Sequence, residues 1–591
     1  MCGIIAYAKG VRPDYEQTDE VLTSGLKRLI YRGYDSWGMA DSNGQRLRET
    51  GIFNEEQGLV SEARIGIAHT RWATHGSVNY INSHPHESCL NSEDERRFSA
   101  VHNGVIENHG HFKEKLSNHK FESETDTEAI PHFIEDQVNK GRTPAEALQL
   151  FDEEAQGNYA IVLMDREEDQ LYGLKRGSPL VFGYEMESNE EIKERESDYP
   201  MPHSKGAYFA SDLYALSDKI NKAFFMKDGD LIMTSGGNLA LHREGEGWLE
   251  GFPEDEWKDF EWTEEEPELG DKHRYWMEKE IKEQPEALRR LEKSLENEQR
   301  EDFLHFQAKI EDDYDDIVFV ASGTSYHATL LGVYHFGPNA QTIIASEFED
   351  YNSVDSNTLV IAVSQSGETR DVLNAMNQAR EMGAEIGCLV NVPHSTIQRK
   401  ADFGLEIKAQ QENCVAATKT FSNQVYTLMK LADADHIEGI ADKLDTEMNQ
   451  LAFAAYQDAQ EFHQAGHEDL YIIGNSSTYP VAREIALKIK EIAYIHAEGM
   501  MAGELKHGTL ALIEEGTPVI ALDDGTGKIQ TNIEEVEARG GRTKTFRNEG
   551  EENQFVFAAT TYGFFLALYW AHLKDLPVDK PRNLAKSVTV E

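Results

Sequence analysis

The chain has 591 residues, too many for one hydrophobic core, and a prior of about 150 residues per domain divides it into roughly three or four. Its 106 Asp and Glu against 57 Lys and Arg leave a formal net charge of −49, a surface that repels nucleic acid and anionic membranes. Four cysteines (Cys2, Cys89, Cys388, Cys414), none in paired or CxxC spacing, argue against a disulfide framework or a zinc site, and with no basic-then-apolar leader they predict a reducing, cytoplasmic setting.

The acidic excess runs along the whole chain, as in proteins of salt-accumulating halophiles, where salt screens the repulsion between dense carboxylates. At the N-terminus, MCGIIAYA puts Cys2 directly behind the initiator methionine. A small residue at position 2 permits removal of Met1, which would give one residue both a thiol and an α-amino group, a nucleophile with its own base. Taken alone, Cys2 reads more readily as a small apolar residue leading into a buried strand, because free cysteines are commonly buried and inert.

Residues 1 to about 240 alternate short β-like runs (RIGIAHT, RFSAVHNG, GNYAIVLMD, GAYFASD) with polar turns and a few helical stretches, which predicts a layered α+β domain. Within it, residues 185–205 form an acidic loop. Between about 241 and 272 an acidic, Trp-containing stretch with little periodicity is expected to be a linker.

From about 300 onward, apolar strands alternate with amphipathic helices, the pattern of βα units around parallel sheets. An internal repeat is present. DDIVFVASGTSYHA (from Asp315) aligns with EDLYIIGNSSTYPVA (from Glu468), and TLVIAVSQSGET (from Thr358) with TPVIALDDGTGK (from Thr517). In the first copy both strands run into small hydroxyl-rich loops, SGTS (322–325) and SQSGET (364–369), whose free N–H groups at a helix N-terminus suit a phosphate; a pair of ordinary helix N-caps is the plainer alternative. Asp523 and Asp524 at the equivalent place in the second copy would repel one.

The second copy carries REIALKIKEIAYIHAEGMMAGELKHG, where Glu484, Lys488 and Glu491 share one helical face beside the apolar Ile485, Ile489 and Ile492. Such spacing is commonly a solvated ladder of ion pairs. His507 follows in LKHG. Residues 555–573 are nearly long enough to span a bilayer, yet Thr560, Thr561, Gly563 and His572 favour a buried helix. The chain ends PRNLAKSVTVE, with Lys586 among small and β-branched residues that would desolvate it.

YRGYDS (31–36), TRWATHG (70–76), HNG (102–104) and SETDTE (123–128) behind CGI resemble an N-terminal-nucleophile glutaminase domain. SGTS, SQSGET, ALKIKEIAYIHAE, GELKHG and LAKSVTVE resemble the paired sugar-isomerase (SIS) domains of the glucosamine-6-phosphate synthases, the isomerising glutamine:fructose-6-phosphate aminotransferases. The resemblance is colinear over essentially the whole chain. It implies an α/β multi-domain protein: an αββα amidotransferase type-2 domain at 1–240, an acidic linker and lead-in helix at 241–290, SIS domains at 291–440 and 441–575, and a catalytic tail at 576–591.

The resemblance further implies that Cys2 attacks the glutamine amide, with Asn103 and Gly104 as oxyanion donors, Arg71 on the α-carboxylate, Asp126 on the α-amino group, His75 and Gly76 as that wall, Arg32 orienting the nucleophile and Trp72 gating ammonia. For the sugar it implies that Ser325, Ser364, Gln365, Ser366 and Thr369 hold the phosphate and Thr324 reaches the hydroxyls. His507 then assists ring opening, Lys586 forms an imine at C2, and Glu491 shuttles a proton between C1 and C2, supported by Lys488 and Glu484. L-glutamine and fructose 6-phosphate are the implied partners, in a homodimer, with no metal, cofactor, nucleic acid or membrane.

Ser322 stands where the family commonly has cysteine, Trp37 where it has a small residue, and Thr509 where it has proline. An amidotransferase acting on phosphoribosyl pyrophosphate would lack the sugar-phosphate loops and terminal lysine. A phosphosugar sensor would lack Cys2, Glu491 and Lys586, and a free-standing deaminating isomerase would lack the glutaminase half.

Overall fold

The strand Gly3–Lys9 is buried along its whole length because both its faces are covered. Ile4, Ala6 and Ala8 join Val101, Ala160 and Val162 in one apolar layer, while Ile5 and Tyr7 meet Val21, Leu22 and Leu26 of the helix Thr18–Leu29 on the other side. The computed structural model describes residues 2–586 apart from 11–15, 74, 91–94, 187–203, 221, 260–267, 351–353 and 549. Most of the acidic loop expected at 185–205, residues 260–267 of the acidic stretch and the terminal SVTVE therefore lie outside the described residues. The chain divides into two units, Met1–Glu266 and Pro267–Thr589.

The first unit contains an eight-stranded and a seven-stranded sheet, and the strand pairs recorded in both are antiparallel. In the eight-stranded sheet Gly3–Lys9 lies between Ile65–Arg71 and Ser204–Ala210, with Gly3 opposite Thr70. The seven-stranded sheet contributes Phe98–Ile106, paired with Gly157–Asp165, and its outer face packs Phe98 and Ala100 against Phe112, Ile130, Phe133 and Phe151 from helices. This is the expected αββα layering.

The linker expected from about 241 is corrected up to residue 259. Leu239–Arg243 and Gly247–Trp248 complete one edge of the seven-stranded sheet, and Trp257–Asp259 pairs with Lys222–Phe225 at an edge of the eight-stranded sheet. Phe252 and Trp257 pack onto the core between the sheets. Arg243 binds Asp230 at 2.8 Å and Glu256 at 2.8 Å, so part of the acidity is internally paired. Strands of two or three residues are too short to show a period of two, which is why the stretch reads as irregular.

The second unit opens with the helix Trp276–Glu296 and holds two parallel sheets. The first has the order Ala340–Ile344, Asp316–Ala321, Thr358–Ser364, Glu385–Val390, Phe403–Glu406. The second runs His496–Met501, Asp469–Gly474, Pro518–Asp523, Arg542–Arg547. The strands aligned as a repeat, Asp316–Ala321 with Asp469–Gly474 and Thr358–Ser364 with Pro518–Asp523, take equivalent central places. In each sheet the strand order reverses between these two strands, where loops splay apart and leave a crevice.

The apolar segment near the C-terminus is the core helix Glu552–Leu573; 83% of its most apolar window is buried inside the protein. It lies against the helix Thr478–Lys488, and a Cβ on Gly563 would stand 2.2 Å from Ile485 Cγ1. Gly563→Val should therefore overpack this contact and cost about 1–3 kcal/mol. A thermal unfolding midpoint equal to the parent's would show that the two helices do not need this close approach.

Candidate functional site

In the first unit Cys2 sits at the entry of the central strand, half-buried, where Trp72 N–H donates to its Sγ (3.3 Å) and the thiol faces Trp72 O (3.4 Å). Loss of solvation pushes its thiol pKa up, opposed by the Trp72 backbone hydrogen bond and Arg71. Gly3 must follow it, because a Cβ there would meet Thr70 Oγ1 at 2.6 Å and Leu29 Cβ at 2.8 Å. The YRGYDS loop braces the neighbouring chain: Asp35 N–H donates to Arg71 O (3.0 Å), and Ala73 N–H to Asp35 Oδ2 (2.8 Å).

Asn103 comes from the facing sheet and donates its Nδ2 to Cys2 O (2.9 Å). Gly104 has φ +112°, and a Cβ would lie 1.9 Å from Asn158 O, so glycine is required next to Asn103. Arg71, 2% exposed, donates to the carbonyls of His75 (2.5 Å), Gly76 (3.2 Å) and Ser77 (3.4 Å), shaping the loop that was expected to form the pocket wall. Both carboxylate oxygens of Asp126 accept backbone N–H groups, from Ile106 (2.8 Å) and Thr127 (3.0 Å). Arg32 donates to Ser211 O (2.6 Å) and pairs with Asp212 (3.5 Å). Ser211 exchanges hydrogen bonds with Ile4, so Arg32 acts on the Cys2 strand through Ser211. Trp72 packs edge-on against Tyr34 at 5.2 Å.

Sequence reasoning missed a group of buried histidines behind Asn103. His69 Nε2 is 3.2 Å from Asn103 Oδ1 and 3.0 Å from His102 O; both are acceptors, so Nε2 carries the proton and fixes which way the Asn103 amide points. His69 stacks on His84 at 4.0 Å, and His84 and His102 both meet Thr127 Oγ1, at 2.9 and 3.0 Å. Burial depresses all three, His69 to about 3, so the group is neutral near pH 7. His69 and His102 lie inside IAHTR and HNG, the one signal that could have marked them.

In the second unit SGTS and SQSGET leave the ends of adjacent parallel strands at the point of strand reversal. The N-cap residues Ser322 and Thr369 make no side-chain capping bond, so the first N–H groups of the helices Gly323–Phe336 and Arg370–Glu381 are not spent on their own caps. Ser364 Oγ instead binds Gly367 N–H (3.0 Å) and lies 3.0 Å from Thr369 Oγ1, while Ser325 Oγ accepts from Gln424 (2.9 Å). Gln365 and Ser366 are half-buried on the same loop. Gly367 has φ +64°, with Ser395 Oγ 2.0 Å from where a Cβ would stand.

The two copies meet at Thr324. Lys488 Nζ donates to Thr324 Oγ1 (2.9 Å), which donates to Glu484 Oε1 (3.0 Å). Lys488 also binds Glu491 at 2.6 Å and Glu484 at 3.4 Å, and His327 Nδ1 lies 2.7 Å from Glu484 Oε2. The side chains of Lys488 and Glu484 are 1% and 0% exposed, so the solvated ladder allowed by the sequence is replaced by a buried array. Burial pulls the Lys488 pKa down, but Glu484 and Glu491 hold it above the ordinary lysine value; burial raises Glu491 against the pull of Lys488 and Lys586. The helix Thr478–Lys488 passes into a π-turn, Ile489–Ala493, which sets Glu491 relative to Lys488.

Lys586 is not left among apolar neighbours as its sequence setting predicts. It pairs with Glu412 at 2.8 Å, the two side chains 3% and 0% exposed. Glu412 also accepts from Thr418 N–H (2.9 Å), Thr420 N–H (3.1 Å) and Thr420 Oγ1 (2.6 Å), and although burial raises its pKa, Lys586 and these donors hold it at about 2. His507 ends the exposed turn Ala502–His507 and makes no hydrogen bond or ion pair with any of these groups.

Comparison with known proteins agrees with this division. Residues 75–186 match the glutamine amidotransferase domain family, and residues 313–434 and 462–552 each match the SIS domain family. The chain is 38% identical to glutamine–fructose-6-phosphate aminotransferase (isomerizing) of Thermococcus kodakarensis, covering 100% of both proteins. It is 35% identical to the proteins of that name from Oceanobacillus iheyensis and Aeropyrum pernix, again with 100% of each covered.

Behind Glu412 lies Glu280, whose Oε1 accepts Asn413 N–H (2.5 Å) and Cys414 N–H (3.2 Å) while Oε2 is buried without a partner. Burial and Glu412 raise its pKa to about 8. The folded state therefore holds a proton that the unfolded state releases near pH 4.5, and stability falls as pH rises from about 5 to 8. Glu280→Gln keeps an oxygen for both N–H groups and removes the titration. Its stability advantage over the parent should grow across that interval in urea unfolding curves, and parallel curves would show Glu280 already ionised.

Proposed function

The chain belongs to the family of glutamine–fructose-6-phosphate aminotransferases (isomerizing), and from that membership we propose how its residues divide the work. The reaction converts fructose 6-phosphate and L-glutamine to glucosamine 6-phosphate and L-glutamate.

With Met1 removed, the α-amino group of Cys2, ordinarily titrating at about 7.7–8.0, takes the thiol proton. The thiolate attacks the glutamine amide carbon, Asn103 Nδ2 and Gly104 N–H stabilise the oxyanion, ammonia leaves, and water releases glutamate from the thioester. Arg71, with His75 and Gly76, binds the α-carboxylate, Asp126 binds the α-amino group, Arg32 holds the Cys2 strand, and Trp72 gates the ammonia. His69 holds the Asn103 amide in its donating orientation.

Ser325, Ser364, Gln365, Ser366 and Thr369, with the uncapped helix N-termini, bind the phosphate of the sugar. His507 assists ring opening, Lys586 condenses with the C2 ketone and loses water to form an imine, and ammonia displaces the lysine. Glu491, with a raised pKa suited to moving protons, carries one from C1 to C2, while Lys488 and Glu484 hold it in place. The observation that carries this reading is the buried Glu484–Lys488–Glu491 array reaching Thr324 beside an uncapped loop. The enzyme works as a cytoplasmic homodimer.

Parallel assays of the two half-reactions test the division. Cys2→Ala should lower glutamine hydrolysis by ~10³-fold or more and leave fructose 6-phosphate isomerisation measurable. Lys586→Arg should do the reverse, and borohydride should trap the sugar on Lys586 in the parent. Hydrolysis surviving in the first variant, or product still formed by the second, would overturn the corresponding assignment.

The net charge of −49 completes the reading as that of a protein working in high salt. Screening of self-repulsion should raise the melting temperature between dilute buffer and multimolar KCl. An unchanged value would refute this.

A further inference from the structure

Away from both sites, four donor atoms converge in the first unit. Cys89 Sγ lies 3.5 Å from His119 Nδ1 and 3.5 Å from His132 Nδ1. The two nitrogens are 3.3 Å apart, and Glu135 Oε2 is 3.3 Å from His119 Nδ1. All four ligand atoms fall within 4.8 Å of one another. We propose that these residues bind a structural zinc ion.

The spacing is the first reason. Zinc bonds of about 2.3 Å to sulfur and about 2.0–2.1 Å to nitrogen or oxygen, arranged tetrahedrally, place neighbouring donors about 3.3–3.6 Å apart. Of the six separations among the four atoms, four are 3.5, 3.5, 3.3 and 3.3 Å, the lengths of such edges, and all six lie within 4.8 Å. The second reason is that hydrogen bonds serve only part of the cluster. His119 Nδ1 faces three partners, Cys89, His132 and Glu135, but an imidazole nitrogen has one in-plane lobe, which serves one hydrogen bond. A cation at the common centre serves all four donors at once.

The surroundings match a metal site too. His132 Nε2 lies 3.6 Å from Glu128 Oε1, so the tautomer that leaves Nδ1 free for metal turns its N–H toward a carboxylate. Cys89 N–H donates to Glu135 Oε2 (3.1 Å), holding that ligand in place. On binding, the Cys89 thiol proton passes to solvent; thiolate, carboxylate and two neutral imidazoles then balance the dication. One thiolate with two imidazoles and a carboxylate is a zinc-type donor set, and four protein ligands leave no open position, as in structural sites.

The cluster ties together three separate pieces of chain. Cys89 follows the short edge strand His86–Glu87, His119 follows the helix His109–Lys115, and His132 and Glu135 lie one turn apart on the helix Ala129–Asn139. Glu128 accepts N–H groups from Glu122 and Ser123, both at 2.7 Å, so the ion steadies the SETDTE loop that carries Asp126. The sequence expectation of no zinc site rested on the absence of CxxC pairs; only His132-x-x-Glu135 is local, and the other two residues of the cluster arrive through the fold.

Full-length protein purified from zinc-supplemented medium and desalted should contain one zinc per chain by elemental mass spectrometry. After removal by chelator, the melting temperature should fall and zinc should restore it. Titration with cobalt(II) should give the d–d bands of a tetrahedral ion and a thiolate-to-cobalt charge-transfer band. Cys89→Ser should lose the charge-transfer band, and His132→Ala the stoichiometric metal. Purified parent with no zinc and no tetrahedral cobalt spectrum, or with another metal in its place, would overturn the proposal, as would full metal content retained in His132→Ala.

Discussion

One buried ammonium organises the sugar half of the molecule. Lys488 is 1% exposed, and burial alone would drive off its proton; Glu484 and Glu491 keep it charged. Removing either partner from such a buried group typically costs about 3–5 kcal/mol, because the remaining charge is left without compensation. The hydrogen bonds that complete the array come from the other repeat, through Thr324 and His327. Neither copy builds this array alone, so the two repeats must pack together before it forms. The core helix Glu552–Leu573 backs the helix that carries the array, with Gly563 pressed against Ile485, the residue next to Glu484.

The glutaminase half solves a different problem. There the proposed reacting group, Cys2, has to lose a proton, and the donors around it must not compete for that proton. Four histidines, at 69, 84, 86 and 102, lie buried in this region, and burial keeps their pKa values low enough for all to be neutral. Neutral imidazoles orient amide and hydroxyl groups without adding charge. His69 sets the Asn103 amide, and Thr127 links His84 and His102 directly beside Asp126. A charged histidine here would draw the Asp126 carboxylate away from the backbone N–H groups that now position it.

Loops and strands of this fold were legible in the sequence wherever their chemistry is local. SGTS and SQSGET announce themselves because a hydroxyl-rich loop at a strand end is built from consecutive residues, and the repeat gave the two parallel sheets because each strand and its loop recur together. What could not be read is what the fold assembles from distant residues. Lys586 is desolvated, as its sequence setting suggests, but its partner there, Glu412, is far away in the chain and could not be read. His327 and His69 sat unremarked inside motifs read for other residues. The cluster of Cys89, His119, His132 and Glu135 was hidden for the same reason, and the linker was misread because edge strands of two or three residues carry no period.

The acidity of the chain bears on how it can hold an anionic sugar at all. A net charge of −49 repels a phosphate at long range, yet neither SGTS nor SQSGET contains a lysine or arginine. In the proposed site the attraction of these loops comes from hydroxyls and from the N–H groups of two helix ends, dipoles whose field falls off within about one turn. Such a site is nearly indifferent to the distant charge once the ligand arrives, because its contacts are short. The approach is not indifferent, since it crosses the field of the whole surface. Salt at about 1 M shortens that field to about 3 Å and leaves contacts of hydrogen-bond length largely intact. A phosphate site made of dipoles and a surface made of carboxylates are thus compatible in concentrated salt, where the repulsion is screened and the recognition is not.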